Sequence, residues 1–277
     1  MNLNELRNKY LSEGYELLDA SSKACQEIIL SKIAKSPLSK NVTIKGGVVI
    51  QNLSNDSRRA TRDLDLDLIK YPIEDNGIIE FIKMLDQVDD DISVKVTGII
   101  EELSHQEYKG KRLTIDLTDS ENNRISIKLD IGVHNNLNME QEEYCFELNN
   151  IDENVQLLIN SKEQIFAEKL KSLLKLGRFS TRYKDIFDFY YFINMTNLCD
   201  SKLTKCINEI VFKSENMKEN SYDDILKRLS SIFRNKRFLE RSNAAHNNWL
   251  EIPIKEVTEN VLEFFTKLSH DDNSIII

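Results

Sequence analysis

The sequence predicts an α+β protein: a mixed sheet with flanking helices in residues 1–160, then a helical domain over residues 161–277. Two observations carry this. Segments of alternating apolar and polar residues fall before Asn160, whereas the apolar residues after it recur at helical spacing. Eight glycines and three prolines in 277 residues are also too few for a turn-dense all-β chain. With 40% hydrophobic and 30% charged residues, the chain has material for one large core or two moderate ones.

Taken in order, Leu11, Tyr15, Leu18, Ile28, Ile29 and Ile33 predict one long helix from Tyr10 to Ile33, closed before Pro37. Val42-Thr43-Ile44 is a short strand running into Gly46-Gly47. Residues Val48 to Leu53 and a polar run from Ser54 to Arg59 lead to Arg59–Leu68, which reads as one strand. Ile78, Ile79, Phe81, Ile82 and Leu85 predict a helix over Ile73–Leu85, and strands follow over Ser93–Leu103, Arg112–Leu117 and Arg124–Val133. Helices are expected over Glu163–Leu176, Tyr183–Met195, Lys202–Phe212, Tyr222–Ile232 and Ile254–Leu268.

Several classes of protein are disfavoured. No run approaches the roughly 20 apolar residues of a membrane span, and Met1-Asn2-Leu3-Asn4-Glu5 lacks the basic-then-apolar layout of a secretion signal. Cys25, Cys145, Cys199 and Cys206 are scattered and no histidine clusters with them, so neither zinc nor a disulfide framework is expected and the cytoplasm is the natural compartment. The net charge is −9, which opposes a generally basic surface. Between Lys162 and Lys184, however, seven basic residues stand against Glu163 and Glu168, a local +5 that is either a solvated helix face or a wall that attracts phosphate.

The candidate chemistry begins at Asp63-Leu64-Asp65-Leu66-Asp67-Leu68. In an extended strand Asp63, Asp65 and Asp67 share one face while the three leucines face a core. Mutually repelling carboxylates suit Mg²⁺, which takes a few hard oxygen ligands together with substrate phosphates; a solvated acidic face gives the same alternation. A calcium loop is disfavoured, because Leu64 and Leu66 intervene between the acids and Leu68 stands where its sixth-position glycine belongs. Asp130, on a later strand, would add a third carboxylate if placed beside Asp63. Gly46-Gly47 offers backbone N–H groups unobstructed by side chains, as a phosphate cradle or simply as a turn. Lys169 lies at the inward margin of its helix, either packing its stem on the core edge or reaching a triphosphate. Asp185 and Asp188 share a face three residues apart at a helix start, where the dipole also favours acids.

The order Gly46-Gly47, R-x-T-x-D-x-D from Arg59 to Asp65, Asp130, A-E-K-L around Lys169 and R-Y-K-D-x-x-D from Arg182 to Asp188 resembles the AbiEii/AbiGii nucleotidyltransferase toxin family. The resemblance spans Gly46 to Asp188. It departs in a longer interval between Gly47 and Asp63, and in glycine rather than serine at the second loop position. It implies a DNA polymerase β-like nucleotidyltransferase fold in residues 1–160, Gly46 and Gly47 at the nucleotide phosphates, and Asp63 and Asp65 as Mg²⁺ ligands with Asp130 as a third. It also implies Lys169 as the nucleotide-contacting lysine and Asp185 as a catalytic acid. The activity implied is transfer of NMP from an NTP to an acceptor, a tRNA 3′ end or a protein hydroxyl, by the toxin of a toxin–antitoxin or phage-defence pair with a cognate antitoxin. The rivals are a metal-dependent nuclease or phosphohydrolase using the same acids with water, and a non-catalytic binding module.

Overall fold

A single N-terminal helix does not form. The computed structural model, which describes residues 2–88, 91–103, 110–134, 138–149 and 154–274, has α1 over Leu3–Ser12 and α2 over Leu17–Lys35. The break falls at Gly14, whose φ of +93° leaves the helical region at little cost for a residue without Cβ. The apolar spacing continues across the break, so periodicity alone does not reveal it.

The chain divides into two compact units, Met1–Asn160 and Ser161–Ile277. In the first, β1 (Val42–Lys45) leads into α3 (Gly47–Ser54), a 3₁₀ turn covers Ser57–Arg59, and β2 spans Asp63–Leu68. The expected strand is thus shorter than Arg59–Leu68, and buried Arg59 belongs to the turn. Next come α4 (Asp75–Asp86), β3 (Ser93–Leu103), β4 (Gly110–Thr118), β5 (Arg124–Val133), β6 (Glu142–Phe146) and β7 (Val155–Ile159). The seven strands form one mixed sheet in the order β3-β4-β5-β2-β1-β7-β6. Pairs β2/β5 and β1/β7 are parallel and the rest antiparallel. Leu64, Leu66 and Leu68 are buried on one face of β2, as are Ile127, Leu129 and Ile131 of β5, so both strands direct their intervening polar residues to the other face.

The second unit is helical: α5 (Lys162–Leu176), α6 (Asp185–Met195), α7 (Asp200–Ile207), α8 (Tyr222–Phe233), α9 (Lys236–Ser242) and α10 (Ile254–Ser274). The helix expected over Lys202–Phe212 is α7 followed by a π turn at Asn208–Phe212, and α9 has too few residues to show a period. Phe166 of α5 anchors this core, with the rings of Phe189, Phe192, Phe264 and Phe265 at 4.9–6.3 Å. Edge-on and tilted contacts at such spacings add to the area each ring buries. The apolar end at residues 275–277 lies outside the described residues.

Candidate active site

Strand pairing turns the D-x-D pattern into a charged row. Asp65 is the register partner of Lys45 on β1 and of Asp130 on β5, and Asp130 is in turn the partner of Arg112 on β4. Residues in register point the same way, so the row runs Arg112, Asp130, Asp65, Lys45 across four strands, with Asp63 and Asp67 two residues to either side. Two contacts consume part of it. Arg112 donates from Nε and a terminal nitrogen to the two oxygens of Asp130, both at 2.6 Å, a bidentate fork. That bond, and then the charges of Asp130, Asp63 and Asp65, hold the Arg112 guanidinium even more firmly protonated than usual. Lys45 Nζ donates to Asp67 Oδ1 at 2.5 Å, and Gly132 leaves room for that carboxylate, since a Cβ there would collide with it. The Asp63 carboxylate makes no hydrogen bond or ion pair among the described residues.

Gly46 and Gly47 close over this row. Gly46 caps α3 with φ +70° and ψ −142°, a conformation essentially reserved to glycine. A Cβ on Gly46 would collide with Asp65 Oδ2, and one on Gly47 would meet Thr61 Oγ1 at 2.8 Å. The Asp65 carboxylate therefore rests against the backbone at the start of α3, where the first N–H groups of the helix have no intrahelical acceptor. Gln26 of α2 steadies the approach to β2, its Nε2 donating to the carbonyl oxygens of Thr61 at 2.9 Å and Asp63 at 3.3 Å.

In the helical unit, Lys169, Asp185 and Asp188 form one cluster. Lys169 Nζ, buried, lies 2.6 Å from Asp185 Oδ1 and 3.0 Å from Asp188 Oδ2. Asp188 has no exposed surface, and its Oδ1 accepts from Trp249 Nε1 at 3.1 Å. Asp185 Oδ2 is buried without a hydrogen-bond partner. Lys169 thus bridges two buried carboxylates, and Asp185 Oδ2 remains an unsatisfied acceptor. Helical spacing brings Asp185 and Asp188 onto one face, and Trp249 completes the cluster from a segment 61 residues away.

A model of the family described as nucleotidyl transferase AbiEii toxin, type IV TA system, matches residues 28–267. The chain belongs to the AbiEii family. As a member it is a nucleotidyltransferase, and the type IV system implies an antitoxin partner. Among solved structures the chain is similar to an antigenic nucleotidyltransferase-like protein from Paracoccidioides brasiliensis, with 16% identity and a TM-score of 0.47 over 80% of this chain and 91% of that one. No curated protein matches it in sequence. No described helix is long and apolar enough to cross a membrane.

A divalent ion suits the AbiEii chemistry, and the donor set is suited to one. Asp63 and Asp65 supply hard carboxylate oxygens from one strand face, and the glycine backbone leaves space beside Asp65 that any Cβ would fill. Asp130 is placed beside them but both its oxygens are engaged by Arg112. Among the described residues no group of three or more histidine, cysteine or carboxylate side chains could hold a metal, so Asp63 and Asp65 would need nucleotide phosphate oxygens to complete the shell. Sequence reasoning missed Arg112, Lys45 and Trp249. The first two carry no signal until strand order sets them beside an acid, and the third none until the fold closes.

Proposed function

We propose that the protein transfers a nucleoside monophosphate from an NTP to the 3′ hydroxyl of an RNA, with tRNA as the acceptor and Mg²⁺ held by Asp63 and Asp65. The observation that supports this reading is the Asp65 carboxylate lying against Gly46 at the start of α3, a hard oxygen donor beside helix-start N–H groups of the kind that suit phosphate. In the reaction the acceptor oxygen bonds to the α-phosphorus, the bond to the bridging oxygen of pyrophosphate breaks, and pyrophosphate leaves. Bound Mg²⁺ supplies charge neutralisation and alignment at the phosphates. Gly46 and Gly47 donate backbone N–H groups to the phosphate chain, and Lys169 keeps the nucleotide-contacting role that the family resemblance gives it. Asp185 keeps the role of C-terminal catalytic acid that the family resemblance gives it. The basic segment from Lys162 to Lys184 draws the RNA to an otherwise acidic protein. The protein acts in the cytoplasm as the toxin of its system, and a role in phage defence fits that assignment.

The test is incubation with each α-labelled NTP in turn, with total cell RNA and cell protein as acceptors. Label retained on RNA supports the proposal, label on protein redirects the acceptor, and cleavage of RNA without labelling favours the nuclease reading. Asp63→Asn and Asp65→Asn each abolish labelling while the fold persists, since removing a carboxylate from the row relieves like-charge repulsion. Transfer at the parental rate by both variants overturns the assignment.

A further inference from the structure

The loop joining α5 to α6 holds an aromatic ring in water. Phe179 is 75% exposed, and the Arg178 guanidinium carbon stands 5.0 Å from its ring centroid. The backbone around it is fixed. Gly177 takes φ +55°, and a Cβ there would meet an Arg228 terminal nitrogen at 2.7 Å. The same Arg228 donates from Nε and a terminal nitrogen to the Leu174 carbonyl oxygen, both at 3.3 Å, closing the end of α5. Beyond the ring, buried Ser180 donates its N–H to the Gly177 oxygen at 3.0 Å, and its Oγ accepts from the Arg182 N–H at 3.2 Å. The fold thus pins both sides of Phe179 and leaves the ring to solvent.

The surroundings indicate what would cover it. Lys175, Arg178 and Arg182 are exposed, and none forms an ion pair among the described residues. The acidic excess of the protein lies elsewhere: Met1–Asn160 carries 18 basic against 29 acidic side chains, whereas Ser161–Ile277 carries 19 against 17. An exposed aromatic ring with one cation beside it and two more exposed, unpaired cations within four residues in the chain matches a nucleobase stacked on the ring with its flanking phosphates on the cations. Only an unpaired base offers its face, so the match is to a single strand rather than a duplex. The loop also connects the helix bearing Lys169 to the helix bearing Asp185 and Asp188, so a strand held on it would lie on the segment leading into that cluster.

We infer that Phe179, with Lys175, Arg178 and Arg182, is a stacking platform for an unpaired base of the RNA acceptor. This rests on the RNA-acceptor reading above. Because every base has a π-face, the platform selects for single-strandedness and not for sequence.

The experiment measures binding of a fluorescein-labelled single-stranded oligoribonucleotide and of a blunt RNA duplex of equal length to the full chain, by anisotropy across a salt series. Parent, Phe179→Ala and Phe179→Trp are compared, and NTP binding is measured in each. Phe179→Ala should lose roughly 5- to 150-fold in single-strand affinity, the span of one base–aromatic stack, and keep its duplex affinity, NTP binding and salt slope. Phe179→Trp should retain affinity, and the emission it adds to that of Trp249, the only native tryptophan, should be quenched by the single strand. If the parent binds single-stranded RNA and Phe179→Ala binds it equally, or loses duplex and single strand alike, the platform is refuted and the acceptor reading stands. A parent that binds no RNA refutes both.

Discussion

Replacing Gly46 by alanine separates the contribution of the loop from that of the carboxylates, and the structure contains its own control. Gly46 has φ +70°, where an L-residue is strained by about 1–3 kcal/mol, and the new Cβ would collide with Asp65 Oδ2. Driving that carboxylate off its rotamer costs a further 0.5–1.5 kcal/mol or so. A total of roughly 2–4 kcal/mol corresponds to a fall in Tm on the order of 5–15 °C for a chain of this size. Gly98, in the irregular stretch of β3, has φ +76° but nothing within 4 Å of its Cβ position, so Gly98→Ala incurs backbone strain alone. Displacing a reacting group by about 1 Å can cost on the order of 100-fold in rate. Gly46→Ala should therefore lose about that factor in kcat/KM for labelled-nucleotide transfer at a temperature where it is fully folded, while Gly98→Ala keeps parental activity despite a lowered Tm. Parental activity in Gly46→Ala, or an equal loss in Gly98→Ala, refutes the reasoning.

Three further outcomes follow from the charged contacts. Asp67→Asn should retain substantial transfer activity, because Asp67 is engaged by Lys45 at 2.5 Å, and should lower stability by about 1–3 kcal/mol. Complete loss of activity in a folded variant would instead place Asp67 among the ion's ligands. Arg112→Gln frees both oxygens of Asp130 and should tighten binding of Mn²⁺, measured by electron paramagnetic resonance, by roughly tenfold, about 1.4 kcal/mol; unchanged affinity would show that Asp130 takes no part. Lys169→Ala removes the cation that pairs with buried Asp185 at 2.6 Å and Asp188 at 3.0 Å, so it should abolish transfer to every acceptor and reduce stability in denaturant titration by about 3–5 kcal/mol. A variant as stable as the parent would show that the buried pairing contributes nothing to the fold.

What the sequence discloses depends on whether the signal is local. The alternation in Asp63–Leu68 needs only the pleat of an extended chain, and the buried leucines of β2 follow from it. The proximity of Asp185 and Asp188 likewise needs only one helical turn, whereas their common engagement by Lys169 of α5 needs the two helices to pack and is not legible locally. Gly46-Gly47 marks a special backbone, yet the Val48–Leu53 run that follows takes no assignment from its pattern and forms α3, because packing outweighs the weak helix propensity of β-branched residues. Strands β6 and β7 are five residues each and carry too little alternation to register. Arg112 is an ordinary outward-facing strand residue until β4 pairs with β5, and the Trp249 contact with Asp188 spans too many residues for any pattern to foretell.

The row of Arg112, Asp130, Asp65 and Lys45 is assembled by pairing across four strands, and this limits how the gene can change in length. Deleting one residue from β5 ahead of Asp130 would bring a leucine or isoleucine into the row and turn the aspartate toward the core, a failure no compensating side chain on the same strand could repair. Length variation among related toxins is therefore expected to collect in the connections between strands, and alignments that open a gap inside β2 or β5 are misplaced. A library of single-codon deletions scored for toxicity should show the same division, with dead variants grouped in those strands and tolerated ones in exposed connections.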